Sequence, residues 1–294
     1  MLFPGLHRWF FRAAPVERNV YETSKSFVNV FPAARWFFIS ALSVIACTAC
    51  HKQSTDDPEI IVTFPPEFTV DLFERRDDST GAPVFGLWVE SIAGFDCGNY
   101  SIEYTVTVSG SAIAVQLLKV REPDTCLGEP GPARAFWPIG PLADGAYVFT
   151  FTLGPVIANK GTLSVTEGRY ELSLPNAQGI DFQNRILETI PDHYIWGFAL
   201  APAEPDLPVA DAFIAGLKPL TGEPDLPPGY YGYFTVSGTG QYFFHKSIAP
   251  GIQHRPFLRR LNVAPDSVRG LLHSFRDDPG KPLKIQCFST YGVL

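Results

Sequence analysis

The strongest constraint on this fold is a period-two alternation of apolar and polar residues through the middle of the chain. The clearest case runs from Tyr100 to Val108, where apolar and polar side chains take turns. Because successive side chains of a strand point to opposite faces, this alternation predicts half-buried antiparallel strands. We expect further strands at 59–64, 68–74, 84–90, 113–117, 147–153, 161–166 and 169–174. Glycine-containing turns between them favour an N-terminal antiparallel β-sandwich over residues 59–175, with immunoglobulin-like architecture, which by itself implies no function.

Beyond residue 185 the apolar spacing changes to that of helices. The residues with this spacing are Ala210, Phe213, Ile214 and Leu217, and then Val268, Leu271, Leu272 and Phe275. Strands are expected at 195–200, 230–236, 241–246 and 283–289, with the middle two joined as a hairpin. The order β-α-β-β-α-β predicts a small ferredoxin-like α+β domain over residues 185–294, so the class is mainly β with an α+β part. A linker is expected at 175–184.

The N-terminal part contains an uncharged apolar run from Trp36 to Ala49, immediately preceded by Arg35. A helix needs roughly 20 residues to cross a bilayer, and this run is shorter, about the length of a signal-peptide core. Small residues and two cysteines, Cys47 and Cys50, end the run, and a polar stretch follows from His51.

This ending resembles the lipobox of bacterial lipoproteins, over residues 35–57 only. The resemblance implies that residues 1–49 are a leader, that Cys50 is lipidated, and that residues 50–58 are a polar tether. Cys47 is the alternative lipidation site. The resemblance also implies a lipid-anchored protein of the bacterial cell envelope, at the outer membrane or facing the periplasm. A signal anchor or a buried apolar helix is the alternative interpretation, because 35 residues precede the run, more than the ~15–30 of a whole signal peptide.

The cysteines of the body suggest one disulfide. An exported chain reaches an oxidising compartment, so Cys97 and Cys126 are the expected partners, although two buried thiols in separate strands would also fit. Cys287 is left over and alternates with Leu283 and Ile285, which predicts a buried thiol in a strand.

The distribution of charge argues against nucleic-acid binding. Of 23 basic and 30 acidic residues, five basic and two acidic residues lie in positions 1–50, which leaves 18 basic and 28 acidic residues in the body. Binding a polyanion requires clustered lysine and arginine, and the body has no such run.

Motifs that carry chemistry are missing from the sequence. It contains no Gly-x-Ser-x-Gly, no His-x-x-x-His and no P-loop, so no catalytic residue, metal site or cofactor is predicted. The segment that enters the second predicted domain offers a histidine and a tryptophan, and we hypothesise that His193 and Trp196 line an interdomain cleft. Three tryptophans and three tyrosines are candidates for stacking on sugars if exposed, though a core role is the simpler interpretation: Trp88, Trp137, Trp196, Tyr230, Tyr231 and Tyr233.

Together these features predict an exported envelope lipoprotein that binds a protein or carbohydrate ligand without catalysis. Two alternatives remain open at this point. One is an envelope hydrolase whose site residues converge only in three dimensions, and the other is a structural subunit of an envelope assembly.

Overall fold

Four β-sheets and two α-helices make up most of the regular structure in the described part of the chain. The computed structural model describes residues 63–77, 81–245, 248, 252–278, 280–292 and 294. All of these belong to one compact unit spanning residues 60–294. The predicted leader, the tether and both candidate lipidation sites, Cys47 and Cys50, lie outside the described residues. The fold is mainly β, as predicted.

The first ten strands form two sheets. Their bounds are β1 Phe68–Arg76, β2 Pro83–Phe95, β3 Ser101–Ser109, β4 Ala112–Arg121, β5 Gly131–Gly140, β6 Gly145–Leu153, β7 Ile157–Thr166, β8 Arg169–Ser173, β9 Ile180–Phe182 and β10 Ile186–Glu188. One sheet has the strand order β5-β2-β1-β9 and the other β10-β8-β7-β6-β4-β3. Two neighbouring pairs, β1 with β9 and β4 with β6, are parallel, so the prediction of wholly antiparallel sheets is wrong at those pairs.

One hydrophobic core is built from the facing sides of these two sheets. Along β1 the alternation appears as burial, since Val70 and Leu72 are fully buried while Thr69 and Asp71 between them are partly exposed. Trp137 lies fully buried in this core and stacks on Phe151, with ring centres 5.7 Å apart. The period-two pattern therefore buries alternate residues, as it does in half-buried strands generally.

The segment expected to be a linker takes part in these sheets. β9, within residues 175–184, pairs with β1, and β10, just after it, pairs with β8 of the other sheet. The chain therefore adds a short strand to each sheet before it reaches the helices.

The remaining strands form a third and a fourth sheet. The elements are β11 Tyr194–Ala201, α1 Leu207–Leu217, β12 Thr221–Gly222, β13 Gly229–Tyr230, β14 Phe234–Val236, β15 Tyr242–Phe244, β16 Gln253–Leu261, α2 Pro265–Arg276 and β17 Lys284–Ser289, with short 3₁₀ helices at Glu204–Asp206 and Lys218–Leu220. The third sheet has the order β12-β16-β11-β17, with antiparallel neighbours. Both predicted helices are present, and their buried residues share a hydrophobic cluster with this sheet.

The strands of the predicted central hairpin lie outside the third sheet. Strands β13, β14 and β15 form a separate three-stranded sheet, and β16, which the sequence did not predict, pairs with β11 instead. Pro256 and several basic residues hide β16 from a pattern search. Proline is tolerated at strand edges, and β12 pairs only with Leu261 and Arg260, so β16 has an open edge at Pro256.

The cysteines of the body lie in two environments. Cys97 and Cys126 form a disulfide with Cα atoms 5.3 Å apart, and it joins the β2–β3 connection to the β4–β5 connection. On a chain-entropy basis a loop of this length contributes about 3 to 4 kcal/mol. Cys287 is a free thiol in β17, and burial raises its pKa to about 12. Among the described residues, no helix has the length and apolar character to cross a membrane.

Candidate functional site

The outward face of β1 carries a group of aromatic and charged side chains, one of which contacts Tyr233 beside the fourth sheet. We call this group the front and define it as Asp71, Phe73 and Arg75 of β1, Trp88 of β2, Phe136 of β5 and Tyr233 just ahead of β14. Strand register brings the first members together, because Asp71 lies opposite Trp88 and Trp88 lies opposite Phe136. Odd-numbered residues of β1 point away from the first core, and Phe73 among them contacts Tyr233.

The aromatic part of the front centres on Phe73. Its ring centre lies 4.8 Å from that of Tyr233, 5.9 Å from Phe136 and 6.1 Å from Trp88. Gly232 adopts a left-handed φ of 79°, and a Cβ there would lie 3.1 Å from the Phe73 ring, so glycine allows the close approach. These three rings around Phe73 remain partly exposed.

The cation of Arg75 lies over one of these aromatic rings. The guanidinium carbon of the exposed Arg75 is 5.0 Å from the centre of the Phe136 ring, a cation–π distance. The guanidinium keeps its N–H donors available at the edge of that ring, since stacking uses the flat face of the group.

The polar part of the front centres on Asp71. Its Oδ1 accepts hydrogen bonds from the backbone N–H of Asn184 at 3.0 Å and from the Asn184 side-chain amide at 2.9 Å. Burial raises the pKa of Asp71, while the two bonds from Asn184 and the nearby His245 lower it and Asp181 raises it. The carboxylate is thus half desolvated yet held in place by an amide.

His245 and Tyr230 border the same carboxylate. The Nε2 of His245 lies 2.9 Å from Oγ1 of Thr235, and its ring centre is 5.3 Å from that of Tyr230. Partial burial lowers the pKa of His245, against the effect of Asp71. Burial, with the Asp71 charge, raises the pKa of Tyr230.

A hydroxyl, an imidazole and a carboxylate are the residue types of a nucleophilic triad, but their geometry differs from one. In a triad the carboxylate accepts a hydrogen bond from the imidazole nitrogen opposite the hydroxyl. Here Asp71 Oδ1 accepts from both donors of Asn184, and Thr235 bonds Nε2 of His245. The arrangement therefore places a carboxylate, an imidazole and a hydroxyl beside the aromatic rings of the front, with hydrogen bonds that differ from those of a triad.

The two residues expected in an interdomain cleft lie in different environments. Trp196 is 1% exposed and packs between Tyr233 and Phe288, with ring centres 5.1 and 6.2 Å away. His193 is exposed, with a left-handed φ of 72°, and its Nδ1 hydrogen-bonds to the Tyr291 hydroxyl. Because β11 is buried along its whole length, Trp196 is enclosed and does not line an open cleft.

Of the candidate aromatics for stacking on sugars, Trp88 and Tyr233 are the ones left partly exposed. The others are buried: Trp137, Trp196, Tyr230 and Tyr231. Sequence reasoning missed Asp71, Phe73, Arg75, Phe136 and His245. The outward position of Phe73 among polar residues of β1 is the signal that would have revealed the front.

A small cavity lies elsewhere, between the fourth sheet and β16. Its volume is about 160 Å³, and it is lined by Pro224, Asp225, Leu226, Val236, Gly240, Tyr242 and Leu258. Ligand pockets commonly reach about 300 Å³ or more, so this cavity suits a small occupant at most. In the described part of the chain, no group of three or more His, Cys, Asp or Glu is placed to hold a metal ion.

Comparison with known proteins finds no match for this chain. No protein-family model matches the chain, and neither a curated protein nor a solved structure matches it.

Proposed function

We propose that this protein is an exported bacterial lipoprotein, anchored through a lipid on Cys50 or alternatively Cys47, whose body binds a carbohydrate ligand at the front without catalysis. The observation that carries the proposal is the partly exposed pair of rings, Trp88 and Phe136, beside Arg75 and Asp71. The envelope location is supported by the lipobox-like segment, and the disulfide fits an oxidising compartment.

The chemistry of the front matches that of a sugar ring. One face of a pyranose presents C–H groups, which carry partial positive charge and are attracted to the negative face of an aromatic ring. The hydroxyls at the ring edge need fixed donors and acceptors, and charged partners give the stronger hydrogen bonds. Arg75 supplies donors and Asp71 supplies the acceptor, and Asn184 orients that carboxylate.

Trp88→Ala in the full-length protein tests the ligand proposal. The probes are chitohexaose, cellohexaose and maltohexaose, titrated by calorimetry. We expect at least one to bind, and we expect Trp88→Ala to weaken that binding by roughly tenfold, because a stacked ring contributes about 1 to 1.5 kcal/mol. Val156→Ala is the matched control, since Val156 is 76% exposed and lies in the β6–β7 turn of the other sheet. The proposal is wrong if none of the three sugars binds, or if both variants bind like the wild type.

The anchor is tested separately by mass spectrometry of the mature N-terminus from membranes. We expect a lipidated Cys50, and Cys50→Ser should release the protein from the membrane fraction. Release by Cys47→Ser alone would move the lipid to Cys47. Membrane retention of both variants would instead support a signal anchor.

An envelope hydrolase is the second candidate, favoured by the desolvated Asp71 beside His245 and Tyr230. The same hexasaccharides serve as substrates, and chromatography of the products is the readout. Cleavage that Asp71→Asn abolishes would establish a hydrolase in place of a binding protein. Binding without cleavage supports the first proposal.

We also propose finer fold relationships for the two halves of the body. An immunoglobulin-like sandwich for the first two sheets is supported by their shared core and short strands. A ferredoxin-like unit is supported by the strand order β12-β16-β11-β17, with α1 following β11 and α2 following β16. The fourth sheet would then be an insertion between β12 and β16. An experimental structure with a different order in the third sheet would contradict this assignment.

A further inference from the structure

A second group of polar side chains lies on the opposite, inward face of β1, and it does not belong to the front. Arg76 connects three segments of the chain there. Its Nη2 donates to the carbonyl of Ile190 at 2.9 Å and lies 3.5 Å from the Glu74 carboxylate, while its Nη1 donates to the carbonyl of Gly81 at 3.4 Å. Asp192 competes for the same guanidinium at 3.9 Å.

Burial makes this group sensitive to charge. Glu74 is 7% exposed, and only 13% of the Arg76 side chain is exposed. Glu74 occupies an inward position of β1, in line with Val70 and Leu72, so its carboxylate lies at the end of the first core. An ionised carboxylate at such a site costs several kcal/mol of desolvation, which a single cation only partly offsets.

We infer that Glu74 and Arg76 form a pH-sensitive latch that ties β1 to the turn leading into β11, residues 190–193. When Glu74 is neutral, the guanidinium keeps its hydrogen bonds to the Ile190 and Gly81 carbonyls and its ion pair with Asp192. When Glu74 loses its proton, its buried charge competes for Arg76 and weakens the attachment of the turn. The inference is independent of the proposed ligand.

The groups around Glu74 place this change near neutral pH. Burial raises its pKa to about 7, while Arg76 on the same strand lowers the pKa and Asp192 on the turn raises it. Tyr170 of β8 faces Glu74 from the other sheet, and burial together with the Glu74 charge raises the Tyr170 pKa to about 12, so this phenol stays neutral. Asp144 and Tyr147 also act on Tyr170.

Residues 190–193 of the turn are attached on two sides. His193 holds a left-handed φ of 72°, a conformation that is uncommon for residues with side chains. A hydrogen bond to Tyr291 and the backbone bond from Leu261 to the His193 carbonyl fix it on the side facing β17 and β16. Arg76 fixes the turn on the side facing β1, so loosening the latch frees one of its two attachments.

Amide hydrogen exchange of residue 190 and residues 192–194 in the full-length protein tests the latch, with rates corrected for the intrinsic effect of pH. Pro191 between them has no amide proton. We expect protection to fall as pH rises from 5.5 to 8. The limit is roughly 300-fold, because the Glu74 pKa rises from 4.5 to about 7 and each pH unit of that difference changes the equilibrium constant about tenfold. Glu74→Gln should keep the turn protected throughout. The matched control is Glu90→Gln, because Glu90 also pairs with an arginine, Arg134, but 31% of its side chain is exposed.

Two further measurements keep the inference falsifiable. His193 lies in the turn itself, so His193→Asn must retain the pH dependence if Glu74 is its source. The carboxyl carbon shift of Glu74 in the wild type gives a direct readout even if a variant fails to fold. Titration of Glu74 near neutral pH supports the latch. Titration near pH 4.5, or unchanged pH dependence in Glu74→Gln, would overturn it.

Discussion

Strand β1 carries two acidic residues, three positions apart. They differ in the charge of the group that each carboxylate faces. Asp71 faces outward into the front, and Glu74 faces inward to the end of the first core. Burial is the largest cause of a raised pKa at both. Asp71 accepts two hydrogen bonds from Asn184, which carries no charge, whereas Glu74 faces the guanidinium of Arg76 at 3.5 Å.

The difference teaches how one strand supports two roles. An amide donates its hydrogen bonds whatever the pH, so Asp71 keeps its orientation and can serve as a fixed acceptor for a ligand. The Arg76 guanidinium is shared among the Glu74 carboxylate and two carbonyls. When Glu74 changes charge, we expect the strength of the bonds from Arg76 to those carbonyls to change. The inward site therefore responds to protons, while the outward site is rigid.

Removing the cation from the inward site should have the largest effect. Arg76→Ala leaves Glu74 buried without its partner and removes a donor from the Ile190 carbonyl. We expect the free energy of unfolding at pH 8 to fall by about 3 to 5 kcal/mol, as for other broken buried pairs. Urea denaturation measures this loss.

The control for that prediction is Arg134→Ala, whose partner Glu90 is on the same sheet in an exposed pair. Exposed pairs contribute about 0 to 1 kcal/mol, so the control should change stability little. Equal losses in the free energy of unfolding would show that the inward pair contributes no more to stability than the exposed pair.

The aromatic rings of the outward site should give the next largest effect. Phe73→Ala removes the ring that contacts Tyr233, Phe136 and Trp88 together, across the junction of the first and fourth sheets. A partly buried ring should cost about 2 to 4 kcal/mol, below the range for a fully enclosed one. Phe243→Ala is the matched control, because Phe243 is 57% exposed. Thermal unfolding of the two variants measures the effect. Equal shifts of the two midpoints would contradict the role of Phe73 in stabilising the junction of the first and fourth sheets.

Much of the fold could be predicted from local patterns, and the failures have physical causes. Alternation identified β1 because inward and outward residues differ in polarity along its whole length. β5 was missed because Gly131 and Pro132 open it and Pro138 interrupts its pattern. β16 was missed because basic residues and Pro256 mask a strand whose burial comes from its neighbours. The parallel pairs carry no local signal, since pairing depends on chain segments far apart.

The candidate sites show the same limit. The presence of Glu74 in line with Val70 and Leu72 is visible in the sequence, and a carboxylate on an apolar face is an informative exception. Asp192, which pairs with the same Arg76, lies more than a hundred positions away, so no spacing rule could connect it to Glu74. The hypothesis for Trp196 fails for a related reason, because an apolar strand between two packed layers buries every residue it contains.

The smallest expected effect concerns the amide that orients Asp71. Asn184→Ala removes the side-chain donor but leaves the backbone N–H that also bonds Asp71. A hydrogen bond to a charged group contributes about 1.5 to 3 kcal/mol, and with the backbone bond retained we expect the lower end of that range at pH 7.

The pH dependence of this loss sharpens the contrast with Glu74. The folded-state pKa of Asp71 is above its ordinary value of 3.8, so its unfavourable ionisation is absent well below pH 3.8 and lowers stability as pH rises through the folded-state pKa. Asn184 opposes this effect by stabilising the charged form. The difference in unfolding free energy between wild type and Asn184→Ala should therefore be smaller at pH 3.5 than at pH 7, as measured by urea denaturation at both values. A constant difference would mean that Asn184 does not stabilise the charged form of Asp71, and the proposed role of Asn184 in orienting this carboxylate would be wrong.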